Sequence, residues 1–557
     1  MSICKRILFG AFCWIFCVAC SNTAENFAPA APQFSDVASD VGLDFTQGAF
    51  RWGMSGDPVA MMGGGLCWLD YDGDGWQDLY VVNSYAEREA GQWQEAEGGL
   101  PTSVLYRNVE GQFVDVSAES GTDLAMRGNG CISSDFNNDA HPDLYITTAR
   151  FNVLFWNNGD GTFDEGGEAA GVDWYGWQTA ASAGDLNGDG WLDLFVAGYV
   201  DVNSPIEGST MGFPNTHYGI RDLLFVSNGL DADGRVTFTE VGEIVGLETD
   251  DFEYGLGSVL SDMDGDGDLD LFIANDTNPN RLYANEPLVD DPEGLGFRFV
   301  DVGEGPAVRD INSGMGVAGA DYDNNGLPDL FISNMGPQTH SVYRNLAIAT
   351  SPQYANVTDE IGVADFGVDW TGWGTAWADF DLDTDLDLFV AHGAIPVVDL
   401  EADRETSHLY DNLTAQGEIG RFSNATTATN LSNLGPYLAR GSAVADYDND
   451  GDLDIAINSI GGPLALLRND GATGNWLTVD LGGTYAGAVV TAVLSDGTEI
   501  RREVLAGSSY LAADDLRCHF GLGGHTRVRE VRVQWPDGSE RVERNVRANR
   551  ILTIGKN

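Results

Sequence analysis

The chain has 557 residues, with 86 Asp and Glu against 28 Lys and Arg, a formal net charge of −58. A charge of that sign repels phosphate backbones and anionic headgroups, which excludes a nucleic-acid partner and electrostatic adsorption to a lipid surface. The length is enough for a large core, and the segments divide it into one long repeat region and one small domain.

At the N-terminus Lys5 and Arg6 precede an apolar run over residues 7–18 and then Cys17-Val18-Ala19-Cys20-Ser21. This reads as a signal peptide, residues 1–19, ending in a lipobox, and the run is too short to span a bilayer comfortably. Cleavage before Cys20 and acylation at that residue predict a lipoprotein, so that the only membrane contact is a lipid anchor. Ser21 favours the outer membrane of a Gram-negative-type bacterium, while Cys17, standing where Leu is usual, keeps ordinary secretion as the alternative. Residues 20–33 read as a tether, being rich in Ala and Pro from 24 to 32.

Beyond the tether an Asp-x-Asp-x-Asp-Gly-x-x-Asp run returns seven times, intact or nearly so. Positions one, three, five and nine are Asp70, Asp72, Asp74 and Asp78 in the first loop, and Asp135, Asn137, Asp139 and Asp143 in the second. They are Asp185, Asn187, Asp189 and Asp193 in the third, Asp262, Asp264, Asp266 and Asp270 in the fourth, and Asp321, Asp323, Asn325 and Asp329 in the fifth. The sixth has Asp379, Asp381, Asp383 and Asp387, and the seventh Asp446, Asp448, Asp450 and Asp454. This is the ligand spacing of a calcium loop, and a donor set of oxygens alone favours Ca²⁺ over zinc or copper. Regular recurrence singles out no catalytic pair, so the loops read as up to seven structural cation sites. Position six is Gly in five loops, where a sharp turn favours positive φ. Ala140 and Thr384 stand there in the second and sixth, which predicts the weakest binding at the loops starting Asp135 and Asp379.

Each loop runs into a short apolar segment such as Leu79-Tyr80-Val81-Val82 or Leu388-Phe389-Val390, a buried strand and not the second helix of an EF-hand. An aromatic two residues before Asn follows, as in Tyr106 to Asn108, Tyr343 to Asn345 and Tyr410 to Asn412, so each repeat reads as four strands. Units of roughly 50 to 80 residues predict an all-β, seven-bladed β-propeller over residues 34–470. The last unit lacks its fourth strand and the missing piece precedes the first, at residues 34–43, which predicts that the N-terminal strand completes the seventh blade.

Cys67 and Cys131 lie just before the first and second Asp loops, in strands expected to be innermost. Neither spacing nor an even count demands a bridge, so buried thiols are the reading and a cross-blade disulfide the alternative. Residues 475–557 alternate apolar and polar positions and predict a small β-sandwich, richer in Arg than the ring, that docks either on the acidic propeller or on an anionic partner.

The Asp loops, with the Gly-rich segments before them (Gly63-Gly64-Gly65, Ser313-Gly314-Met315-Gly316), resemble the FG-GAP or VCBS repeats of integrin-α-type propellers. In the C-terminal part Gly507-Ser508-Ser509-Tyr510-Leu511, His519 to Gly523 and Val533-Gln534-Trp535-Pro536 resemble the ASPIC/UnbV domain. Together they are similar to the cartilage acidic protein family and its bacterial members, a resemblance that implies an extracytoplasmic, calcium-binding protein.

In a propeller of this order the Asp loops share one face, and the long insertions at residues 86–101, 200–222 and 393–407 share the other. Near that insertion face fall Arg51, Trp52, Arg127, Trp174, Trp177, Tyr254, Arg309, Trp370, Trp373 and Arg440. One reading makes the arginines a central anion-binding ring with the aromatics stacking on ligand; the other packs the aromatics between blades and pairs each Arg with a local acid. His217, His340, His392 and His408 fall on the same side and could approach one another. The functional expectation is a recognition module that binds an extracellular protein or glycan. The alternative is a carbohydrate-active enzyme, a lyase or hydrolase, on that face.

Overall fold

The computed structural model describes residues 30–247, 253–289, 291–303, 308–346, 351–363 and 366–556. Residues 1–29, with the signal peptide and Cys20, lie outside the described residues.

The Asp loops are hairpin turns. In each repeat a strand entirely or mostly of small and apolar residues runs into the loop, and a second strand returns from position nine, as Leu66–Leu69 and Asp78–Val81 do. Two further antiparallel strands, Val104–Val109 and Gln112–Asp115, complete the first sheet. The pattern repeats in seven four-stranded units whose innermost strands are Leu66–Leu69, Gly128–Ser134, Gln178–Gly184, Gly255–Ser261, Gly314–Ala320, Gly372–Ala378 and Ala439–Ala445. These inner strands neighbour one another in that order, and Ala439–Ala445 lies beside Leu66–Leu69, where Gly441 N donates to Gly64 O at 3.1 Å. Phe34–Asp36 pairs with Ala465–Asn469 as the outer strand of the seventh sheet, so this N-terminal strand finishes the last repeat.

The aromatic-x-Asn signature has a role that its spacing did not reveal. Asn108, Asn157, Asn285, Asn345, Asn412 and Asn469 each donate Nδ2 to a backbone carbonyl in an Asp loop of another sheet: Tyr447, Tyr71, Leu186, Met263, Tyr322 and Phe380. In every case the acceptor is the residue at loop position two of the preceding sheet. Sheet three has Ser227 at the equivalent place.

The C-terminal domain is a three-stranded sheet, Cys518–Gly523, Asn475–Asp480 and Ile551–Thr553, facing a four-stranded one, Glu499–Glu503, Val489–Val493, Arg527–Gln534 and Glu540–Arg547. Their inner faces share one apolar core that includes Leu477, Val490, Phe520 and Val531. Of the two docking options open in the sequence, the structure takes the acidic ring. The domain sits on the Asp-loop face, with Thr484 Oγ1 accepting from Asp135 N and Glu503 accepting from Asp262 N.

From that domain residues 505–515 enter the axis of the ring. Ala506 bridges to Ala183, Ser509 exchanges backbone hydrogen bonds with Val317, and Ala512–Ala513 pairs in parallel with Leu66 and Cys67. Ser509 Oγ donates to Ser442 O and accepts from Thr375 N, both at 2.9 Å. Gly65 is needed where the segment passes, since a Cβ there would collide with the Leu511 carbonyl. Tyr510 and Leu511 then join Met61, Met62, Trp177, Tyr199 and Trp373 in an apolar core on the axis. The middle of the ring is therefore packed, and functional surface must lie elsewhere.

Cys67 and Cys131 are joined as a disulfide, Cα–Cα 6.0 Å, which corrects the expectation of two free thiols. Inner strands of consecutive sheets come close enough on the axis to bring the two side chains together, a proximity that no sequence spacing encodes.

Candidate metal loops and ligand-facing surface

The first loop shows how these residues build a cation cradle. Asp70 accepts from Asp74 N (3.0 Å) and Gly75 N (2.9 Å), and Asp74 from Trp76 N (3.0 Å), which folds the loop around its own carboxylates. Position nine has a second duty. Asp78 accepts from Tyr71 N at 3.0 Å and from Asn108 N at 2.7 Å, tying the loop to the third strand. Asp143, Asp193, Asp270, Asp329, Asp387 and Asp454 make the same two bonds in their sheets. Backbone φ at position six is positive in all seven loops, including Ala140 (70°) and Thr384 (96°).

Five loops gather three carboxylates with an oxygen from each lying within 4.8 Å of the others: Asp70, Asp72 and Asp78; Asp262, Asp264 and Asp266; Asp321, Asp323 and Asp329; Asp379, Asp381 and Asp383; Asp446, Asp448 and Asp454. In the second and third loops Asn137 and Asn187 instead donate to Asp139 and Asp189, both at 3.0 Å, which leaves a less charged site. The donors fit a hard cation, because buried oxygens of Asp72, Asp381, Asp385, Asp446 and Asp448 have no hydrogen-bond partner. Burial, reinforced by neighbouring carboxylates, pushes Asp381 up to about 9 and Asp379 to about 7. Burial likewise holds Asp446 near 7, although Arg517 draws it down. A divalent ion reverses that preference by favouring the ionised form.

Thr384 is a β-branched residue held at positive φ, a conformation that costs on the order of 1–3 kcal/mol. Thr384→Gly is expected to raise the melting temperature, with a net gain of about 1 kcal/mol after the added freedom of the unfolded glycine. Calorimetry at saturating calcium checks it, and an unchanged or lower melting temperature would mean the loop absorbs the strain elsewhere.

On the insertion face the arginines do not form a ring of uncommitted cations. Arg51 pairs with Glu97 (2.7 Å), Arg127 with Asp57 (2.5 Å) and Glu87 (3.4 Å), and Arg309 with Asp301. Arg440 is fully buried, donates to the carbonyls of Met61, Ala439, Gly393 and Ala394, and lies over the Trp373 ring at 3.9 Å. Each of these arginines is thus committed to a nearby acid or, for Arg440, to backbone carbonyls, and Arg127 and Arg309 find theirs on the neighbouring sheet. Trp177, Trp373 and Tyr254 are buried in the axial core, again against the ligand-stacking reading. Trp52 stays partly open against Trp93, and Trp370 covers His408 with ring centroids 4.3 Å apart.

Three of the four histidines do converge. His340 Nε2 lies 3.3 Å from His392 Nε2, and His392 Nδ1 lies 3.3 Å from His408 Nδ1, all three buried. Asn334 N donates to His340 Nδ1, and burial pulls His340 down to about 3 and His408 to about 4, so the stack is neutral. Because His392 offers a different nitrogen to each neighbour, the three do not chelate one ion. His217 stands apart, beside Phe213.

The exposed aromatics gather on sheets two and three. Phe151 and Tyr175 face each other across a backbone bridge, ring centroids 5.0 Å apart. Trp174 lies beneath the Arg221 guanidinium at 4.8 Å, and Arg221 is held by Glu240 at 2.9 Å. The hairpin Val200–Pro205 with His217–Gly219, inserted in sheet three, displays Tyr218. Trp174 is 41%, Phe151 56%, Tyr175 57% and Tyr218 58% exposed, so each ring remains partly open to solvent. Of this group the sequence singled out Trp174; Phe151 lies on a separate turn, and its proximity to Tyr175 depends on the bridge.

Comparison with known proteins agrees with this architecture. An FG-GAP-like repeat model matches residues 70–146, 135–196 and 262–332, and an ASPIC and UnbV model matches residues 484–557. Cartilage acidic protein 1 of Xenopus tropicalis is 24% identical over 515 residues, covering 84% of this chain and 72% of the relative. The human protein of that name is 28% identical over 295 residues, 51% of this chain and 41% of its own length. A solved Agrocybe aegerita lectin, described as recognising non-reducing terminal N-acetylglucosamine, aligns over 65% of this chain and 79% of its own at 15% identity, with a TM-score of 0.38, too low to carry an analogy. The chain thus combines FG-GAP-like repeats with a C-terminal ASPIC/UnbV domain and is homologous to cartilage acidic protein 1.

Proposed function

We propose that this chain is an exported, calcium-binding recognition module that takes an extracellular ligand, a glycan or a protein, on the face opposite its Asp loops. Calcium is the cation that the loops favour, since they offer hard oxygen donors at its spacing and leave buried oxygens unpartnered. The Cys67–Cys131 disulfide supports an oxidising compartment. Anchoring through an acylated Cys20 in an outer membrane is part of the same reading.

The observation that carries the ligand proposal is the exposure of Phe151, Trp174, Tyr175 and Tyr218 on that side of the molecule. Rigid aromatic faces suit the apolar faces of sugar rings, and the net charge of −58 disfavours polyanionic glycans, which leaves neutral ones. Trp174→Ala with Tyr175→Ala is expected to abolish binding to an array of neutral glycans, while thermal stability stays within about 0.5 kcal/mol as for other exposed positions. Retained glycan binding in the double variant would remove Trp174 and Tyr175 from the site. Binding confined to a protein ligand would select the protein reading.

A further inference from the structure

The sixth Asp loop differs from the others in being enclosed. Asp379, Asp381, Asp383, Asp385 and Asp387 are all between 1% and 6% exposed, whereas position five is open in the first five loops. Part of the cover is the sheet's own turn, where Gln416 Nε2 donates to Asp383 at 2.9 Å and Ala415 N to Asp385 at 2.7 Å. The rest is the C-terminal domain. Gly523 N donates to Leu382 O at 2.8 Å, and Gly521 lies so close that a Cβ would strike the Asp379 carboxylate. Beneath this roof a buried oxygen of Asp381 and another of Asp385 have no hydrogen-bond partner, which marks the cluster as built for a charge that the protein itself does not supply.

We propose that the sixth loop is an occluded cation site, closed by the C-terminal domain, and that an ion bound there holds that domain and its axial segment on the ring. This rests on the calcium reading of the loops and reverses the ranking by position six alone, which placed the sixth loop among the weakest. More carboxylates converge here than in the second and third loops, and dehydration strengthens each ion–carboxylate contact. An ion in the sixth loop leaves only when the roof lifts, so it exchanges with the slow opening of the interface and not with loop fluctuation. Lifting the roof also withdraws residues 505–515 from the axis, because they belong to the same domain.

The test mixes the calcium-loaded full-length protein with excess chelating dye and follows ion release. A single ion released about 100-fold more slowly than the others, as expected for release gated by sub-global opening, and missing in Asp381→Asn, supports the proposal. Gly521→Ala, which crowds the roof, should move that ion into the fast phase. Should either variant fail to fold, hydrogen exchange on the wild type decides: residues 505–523 are expected to lose protection as the slow ion departs. Bound calcium that leaves wholly in one fast phase, or a slow ion that persists in Asp381→Asn, overturns the occluded site while leaving the calcium reading intact. A protein that binds no calcium removes both.

Discussion

Replacing Tyr510 with Ala is expected to cost about 3–5 kcal/mol of stability, the range for removing a large buried aromatic. Tyr510 is fully buried, its ring packs against Trp373 at 4.8 Å, and its hydroxyl donates to Met62 O at 3.1 Å. The side chain sits where the sheets meet on the axis, so the lost contacts come from several repeats at once and from two domains. Tyr510→Phe isolates the hydrogen bond and should cost only about 1 kcal/mol, mostly from leaving the Met62 carbonyl unpaired. Denaturant unfolding of both variants checks the pair. A cost for the Ala variant no larger than for the Phe variant would show that the axial segment decorates a ring that is stable without it.

The second large effect is a change in the sign of the pH dependence when calcium is removed. In the calcium-free protein the carboxyls of Asp379 and Asp446 titrate near 7 and that of Asp381 near 9, raised chiefly by burial from an ordinary value near 3.8. A carboxyl raised on folding contributes stability that is fully present below its unfolded pKa and is lost as pH rises through the folded value. Buried His340, His408 and His519 act in the opposite sense, but their folded values, about 3 and 4, lie below the ordinary 6.5, so they contribute no slope above that pH. Between pH 6.5 and 8.5 the calcium-free melting temperature should therefore fall. With calcium bound the ionised carboxylates are the stable form and the fall should vanish or reverse. Each occupied loop then adds about 2.7 kcal/mol at a free calcium concentration about 100 times its Kd. Melting curves across that pH range, with calcium and with chelator, measure both predictions. Identical slopes in the two conditions would mean the loops hold no ion.

The Asp loops and the strands around them were legible because their signals are local. A ligand spacing of one, three, five and nine, a glycine at the turn and a following apolar run describe one hairpin, and a hairpin's chemistry is complete within about ten residues. Repetition of that hairpin with two more strands is what determined an all-β ring, and the stray segment at Phe34–Asp36 announced its own partner by being the piece the last repeat lacked. The axial segment, the seat of the C-terminal domain on the Asp-loop face, the Cys67–Cys131 bridge and the asparagine links between sheets were decided by tertiary structure. So was the fate of the arginines: the sequence left Arg127 between an anion-binding cation and the partner of a local acid, and it becomes the partner of Asp57 once two turns 70 residues apart are folded side by side. The physical reason is the same in each case. Burial and turn preference are properties of a short stretch of chain, whereas a hydrogen bond, an ion pair or a roof over an acidic loop requires knowing which distant stretch arrives opposite, and that is fixed only when the sheets pack side by side.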